Sequence, residues 1–102
     1  DKTDLSSRDY IFPDSNSRYL TDEDLSGYSS DQLELAKNEI YARHGRKFVT
    51  QRIADYFNSK SWYKGTVEPE TFDADTSVFN EYEVANIQKI ADTEGKLRSE
   101  GK

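Results

Sequence analysis

Apolar residues along this chain fall into helical spacings separated by small aromatic clusters. Leu33, Ala36 and Ile40 stand three and four apart, and His44 continues the series, so these side chains share one helix face with Tyr41 at its flank. Ser29 and Gln32 ahead of them form a capping-box pair, with Asp31 at the positive helix end. Gly45 follows where a helix ends by turning left-handed, which glycine does without a Cβ clash. Thr50 is placed to cap a second helix carrying Ile53, Tyr56 and Phe57 and ending at Asn58-Ser59. Asn80 and Glu83 repeat the capping-box spacing before a third helix, with Val84, Ile87, Ile90 and Ala91 as its apolar stripe.

The connections read differently. Thr21 before Asp22, Glu23 and Asp24 caps a short helical turn that ends near Ser26-Gly27. Trp62-Tyr63 occupy a turn, and Gly65, Pro69 and the acid-rich stretch through Asp75 form a surface loop that Val78 and Phe79 pin at its end. The pattern predicts a mainly all-α fold, a compact bundle of three main helices with aromatic-pinned loops. Residues 1–18 read as an extended lead-in from which Tyr10, Ile11 and Phe12 can dock. Residues 19–94 form the helical domain, and 95–102 a disordered tail.

Composition narrows the chemistry. The chain has 102 residues, 33% hydrophobic and 33% charged, a lean ratio for a core. Seven Tyr, five Phe and one Trp compensate with large apolar areas. It contains no Met and is expected to be a fragment of a longer protein. No apolar run approaches the roughly 18 residues that span a bilayer, so the chain is not itself membrane-spanning. A formal charge of −6 disfavours nucleic acid, whose binding rests on neutralising phosphates, and anionic membranes likewise.

With no Cys and one His, thiol chemistry and zinc have no ligand set. Asp73, Asp75 and Ser77 imitate the start of a calcium loop, but Val78 and Val84 stand where the glycine and the closing glutamate belong. No G-x-S-x-G elbow and no glycine-rich phosphate loop occur, so no cofactor is expected and a hydrolase using His44 or a glutamate pair is the least favoured reading.

Two features carry candidate function. Arg43, Arg46, Lys47 and Arg52 lie within ten residues that contain no acid. With Tyr41, Trp62 and Tyr63 nearby they would make a basic, aromatic patch able to grip an anionic polymer or a stem-peptide carboxylate. The competing reading is that these cations neutralise acids elsewhere in the fold. The second feature is the run Asn38-Glu39-Ile40-Tyr41-Ala42-Arg43-His44-Gly45. Within it Glu39 and Arg43 are spaced to pair along a helix, Arg43 can stack on Trp62 or Tyr63, and Asn38 can tie the helix to a loop. His44 reads as a packed, hydrogen-bonded structural histidine and Trp62 as a core plug.

That run resembles the signature of the YARHG domain, whose name spells Tyr41 to Gly45. Leu20 to Leu25 upstream resemble the family's entry, and Phe48, Tyr56-Phe57, Trp62-Tyr63, Asn86-Ile87 and Ile90 match its aromatic and closing-helix positions, over about residues 19–92. The resemblance implies an extracellular bacterial module without established enzymatic activity, tethered to the membrane through a preceding segment. Joined to the basic patch, it makes a non-catalytic cell-surface module binding envelope glycan or anionic wall polymer the leading expectation. The alternative is a protein-interaction or spacer domain of a larger surface receptor. The isolated domain is expected to be a monomer.

Overall fold

A computed structural model describes Leu5 and residues 8–101. Its helices are α1 (Asp22–Leu25), α2 (Ser30–Ala42), α3 (Gln51–Asn58), α4 (Pro69–Ala74) and α5 (Glu81–Ser99). The three main helices expected from the apolar spacing are α2, α3 and α5, and the fold is all-α. Among the described residues the only extended pairing is one parallel bridge between Arg46 and Val67.

The helix starts follow from their caps. Thr21, Ser29 and Asn80 each accept a hydrogen bond from the backbone N–H three residues on, and the side-chain oxygens of Asp24, Gln32 and Glu83 in turn accept from the cap residue's N–H. Thr50 stands at the start of α3 but makes no side-chain cap bond. The acid-rich stretch read as a loop contains α4. Pro69 opens it, because a proline at the first helical position gives up only an N–H that has no helical partner.

α2 packs chiefly on α5 and secondarily on α3. Leu33, Ala36 and Ile40 lie at the centre of a core with Leu25, Tyr28 and Ile90. A second cluster gathers Ala42, Ile53 and Phe57, with Phe48, Trp62 and Tyr63 against it.

The predicted α5 stripe is met only in part: Ile90 is fully buried and Ile87 packs against the core. Val84 is 55% exposed, and the buried positions are Glu83, Asn86, Ile90 and Glu94. Those four keep the three-and-four spacing, but three of them are polar and satisfied by hydrogen bonds, so hydrophobicity alone points to only part of the inner face. α5 also runs through Gly95 to Ser99, where a tail was expected, with Leu97 packed against the core and Arg98 paired to Glu94.

The described part of the lead-in, Leu5 and residues 8–18, bends and turns rather than running extended, and it belongs to the body. The rest of the expected lead-in lies outside the described residues. Ile11 is 1% and Phe12 6% exposed, both within the main core. The core therefore begins well ahead of residue 19. The Cα radius of gyration, 13.1 Å, matches the roughly 13 Å of a folded 100-residue chain.

Candidate functional site

The run from Asn38 to Gly45 spans the last turn of α2 and the turn that follows it, and its side chains radiate into three neighbours. Glu39 is wholly buried and faces the lead-in. Its carboxylate accepts the backbone N–H of Ile11 at 2.6 Å and that of Phe12 at 3.0 Å. It does not pair directly with Arg43, as the helical spacing had suggested. Burial pushes the Glu39 carboxyl up from the ordinary glutamate value, against the opposing pull of those two N–H groups and of Arg43 and Arg8. Tyr56 belongs to the same interior. Its hydroxyl is buried without a hydrogen-bond partner, and burial together with the Glu39 charge pushes it up to about 12.

Arg43 turns to the same segment. It donates to the Pro13 carbonyl at 2.9 Å, and its guanidinium lies 4.7 Å from the centre of the Tyr10 ring. Tyr10 stacks on Trp62, with ring centres 4.8 Å apart. Arg43 thus stacks on Tyr10 rather than on Trp62 or Tyr63, and Tyr10 is the aromatic layer between. Trp62 also donates its indole N–H to the Asp9 carbonyl at 2.6 Å. It packs edge-on against Phe57 but is only partly buried, lying against the second cluster rather than plugging it.

His44 joins the end of α2 to the start of α5. Its Nε2 lies 2.7 Å from Oε2 of Glu83, and its ring meets Phe79 edge-on. The other Glu83 oxygen accepts the Asn80 N–H, which divides this buried carboxylate between a helix cap and the histidine. Asn38 donates to the Glu34 carbonyl one turn back, so it fastens α2 to itself and not to a loop. Tyr41 meets Phe72 of α4 and Phe79 edge-on, which seats the short helix.

Gly45 closes the motif. The N–H of Arg46 reaches the Tyr41 carbonyl at 3.4 Å and that of Gly45 reaches Ala42 at 2.9 Å, the nested pattern of a Schellman ending. Gly45 has φ +89°, and a Cβ built there would lie 2.8 Å from Thr66 Oγ1. Its carbonyl accepts from both Thr66 and Val67, so the turn also anchors the chain leading into α4.

The basic residues do not form a free patch. Arg46 pairs with Asp73 through two bonds of 3.0 Å, Lys47 with Glu68 at 2.8 Å, and Arg52 with Glu34. Arg46 holds the Asp73 carboxyl below the ordinary carboxylate range, and Glu68 holds the Lys47 amine above its own. Of the aromatics expected beside these cations, Tyr41 lies 5.9 Å from the Arg46 guanidinium and Tyr63 donates to the Arg46 carbonyl at 2.7 Å. Trp62 belongs instead to the Tyr10 stack. An open cleft of about 360 Å³, with Lys37, Asn38, Tyr41 and Arg46 on its walls, also contains Asp73, so its main cation is already matched.

Two residues important to this arrangement were given no structural role from the sequence, Lys60 going unnamed and Asn86 being named only for the family resemblance. Lys60 lies 4.8 Å from the Tyr56 ring centre and donates to the Arg8 carbonyl at 2.6 Å and the Leu5 carbonyl at 3.4 Å. Asn86, 1% exposed, donates to the carbonyls of Ser15 and Arg18 and accepts from the Leu20 N–H. An asparagine on the inward spacing of a helix signals such a role, because a buried amide must find partners. Lys60, at the end of a short helix, carries no comparable signal.

Among the described residues no group of three or more His, Asp or Glu side chains is arranged to hold a metal ion, and no helix is long and apolar enough to cross a membrane. No curated protein and no solved structure matches the chain. A family profile described as the YARHG domain matches residues 8–95, which takes in Arg8, the docked lead-in and the helices up to the last turn of α5. The chain belongs to the YARHG domain family.

Proposed function

We propose that this chain is a non-catalytic module of the outer cell surface, serving as a protein-interaction or spacing domain within a larger protein. The family resemblance supports that location, and with it a tether through a segment N-terminal to the chain. The observation that carries the reading is where the motif's polar groups go. Glu39 is taken up by two backbone N–H groups, Arg43 by a carbonyl and a ring, and His44 by Glu83. A general acid, base or nucleophile must instead face the substrate.

Binding of envelope glycan or anionic wall polymer is the second reading. It draws on the exposure of Lys47 and Arg52, whose side chains are 45% and 51% exposed in their ion pairs. Exposed pairs hold weakly and can open to a polyanion. Co-sedimentation with purified wall material at low salt separates the two readings. The interaction or spacing role predicts little retention, unchanged in the double variant Arg46→Ala/Lys47→Ala. Strong retention that the double variant abolishes would replace it with wall binding. Turnover of wall substrates that falls in a folded His44→Ala variant would replace both.

A further inference from the structure

The lead-in is held in an unusual manner for a packed segment, because nearly every polar contact to it is made by a side chain of the body to its main chain. Lys60 takes the carbonyl of Arg8, Trp62 that of Asp9 and Arg43 that of Pro13, while Glu39 takes the N–H groups of Ile11 and Phe12. These four residues come from the end of α2 and from the chain just after α3. They grip one stretch of six residues from both its donor and acceptor sides. The stretch contributes apolar anchors in return: Ile11 and Phe12 enter the core, and Tyr10 slots between Arg43 and Trp62.

This division of labour is that of a peptide-binding groove, in which main-chain bonds supply the grip and pockets for a few side chains supply selectivity. The stretch leads into the body through Asn16 and Ser17, which are exposed. We propose that Glu39, Arg43, Lys60 and Trp62 form a binding site for a bent peptide segment, with residues 8–13 as its resident ligand, and that the same segment from a second copy of this chain can take their place. Every contact of the resident segment is available to the incoming one, so an exchanged pair loses no bonds. In the intact chain the resident segment has the advantage of attachment, which keeps the site closed at ordinary concentration.

The test removes the attachment and leaves the rest of the chain present. A protease recognition sequence is inserted between Asn16 and Ser17 of the full chain, the purified protein is cut, and the synthetic peptide of residues 5–16 is titrated in by calorimetry. The cut protein is expected to keep its helical circular dichroism, or to recover it when peptide is added, and to exchange its own fragment for the synthetic one. Peptides N-methylated at Ile11 or at Phe12 are expected to bind at least about 10-fold more weakly, as loss of a buried hydrogen bond to a charged group requires. Glu39→Gln in the body should weaken the unmodified peptide similarly and blunt the effect of methylation. A folded cut protein that takes up no peptide would overturn the proposal. So would a cut protein that stays unfolded with peptide in excess, or equal binding of methylated and unmodified peptides.

Discussion

Gly45 and Glu39 are the two positions at which a single substitution decides the outcome. At Gly45 a side chain meets both a positive φ and a Thr66 hydroxyl already 2.8 Å from where its Cβ would stand. Gly45→Val should destabilise the fold by more than about 1 kcal/mol, read as a lower denaturant midpoint. At Glu39, Ala removes both acceptor oxygens and leaves two buried N–H groups unpaired. Glu39→Ala should therefore cost at least about 1–3 kcal/mol.

Glu39 also carries a pH signature. Its folded-state pKa is raised by burial, so the folded state holds the proton more tightly than the unfolded one. Its contribution is complete below the ordinary glutamate value and is lost as pH rises through the folded value. The stability difference between wild type and Glu39→Gln should accordingly shrink with rising pH over that interval. A constant difference across it would mean that burial does not dominate at this carboxylate. Gly45 was readable from the sequence because a glycine at a helix end has few other uses. The true role of Glu39 was not, because its partners are backbone groups 27 and 28 residues away that no side-chain pattern announces.

The helices show the same division between local and distant causes. Capping boxes act within four residues, and those at Ser29 and Asn80 give the starts of α2 and α5 as the sequence suggested. The rotation of α5 depends instead on what it faces. Val84 in the expected stripe points outward, because Asn86 and Glu83 find hydrogen-bond partners inside that an apolar scale does not count. The end of α5 was misread for a related reason, since Gly95 looks like a terminator when its surroundings are unknown. A Cβ at Gly95 would meet nothing within 4 Å, and its φ is not in the left-handed region. Gly95→Ala should therefore stabilise the protein by about 0.5–1 kcal/mol, seen as a higher thermal midpoint. Destabilisation by that change would show that the last turn of α5 needs the glycine.

At the scale of the whole molecule, charge is arranged as a set of fasteners between helices. Glu34 of α2 meets Arg52 of α3 and Arg98 of α5, and Arg98 shares Glu94 with Lys37 of α2. Each exposed pair is worth at most about 1 kcal/mol, but the network spans all three main helices. Glu34→Gln is expected to lower stability by less than about 1 kcal/mol at low salt, and the deficit should narrow at high salt as screening weakens the wild-type pairs. The sequence displayed an acid-free basic run without revealing that acids from α2 and from the neighbourhood of α4 would return to meet it.

The stack of Arg43, Tyr10 and Trp62 has a practical consequence of its own. Trp62 is the chain's single tryptophan, and its indole is in contact with the lead-in both by ring and by N–H. Its emission spectrum is therefore an intrinsic optical gauge of whether the first residues of the domain are seated. No dye or added label is needed to follow them.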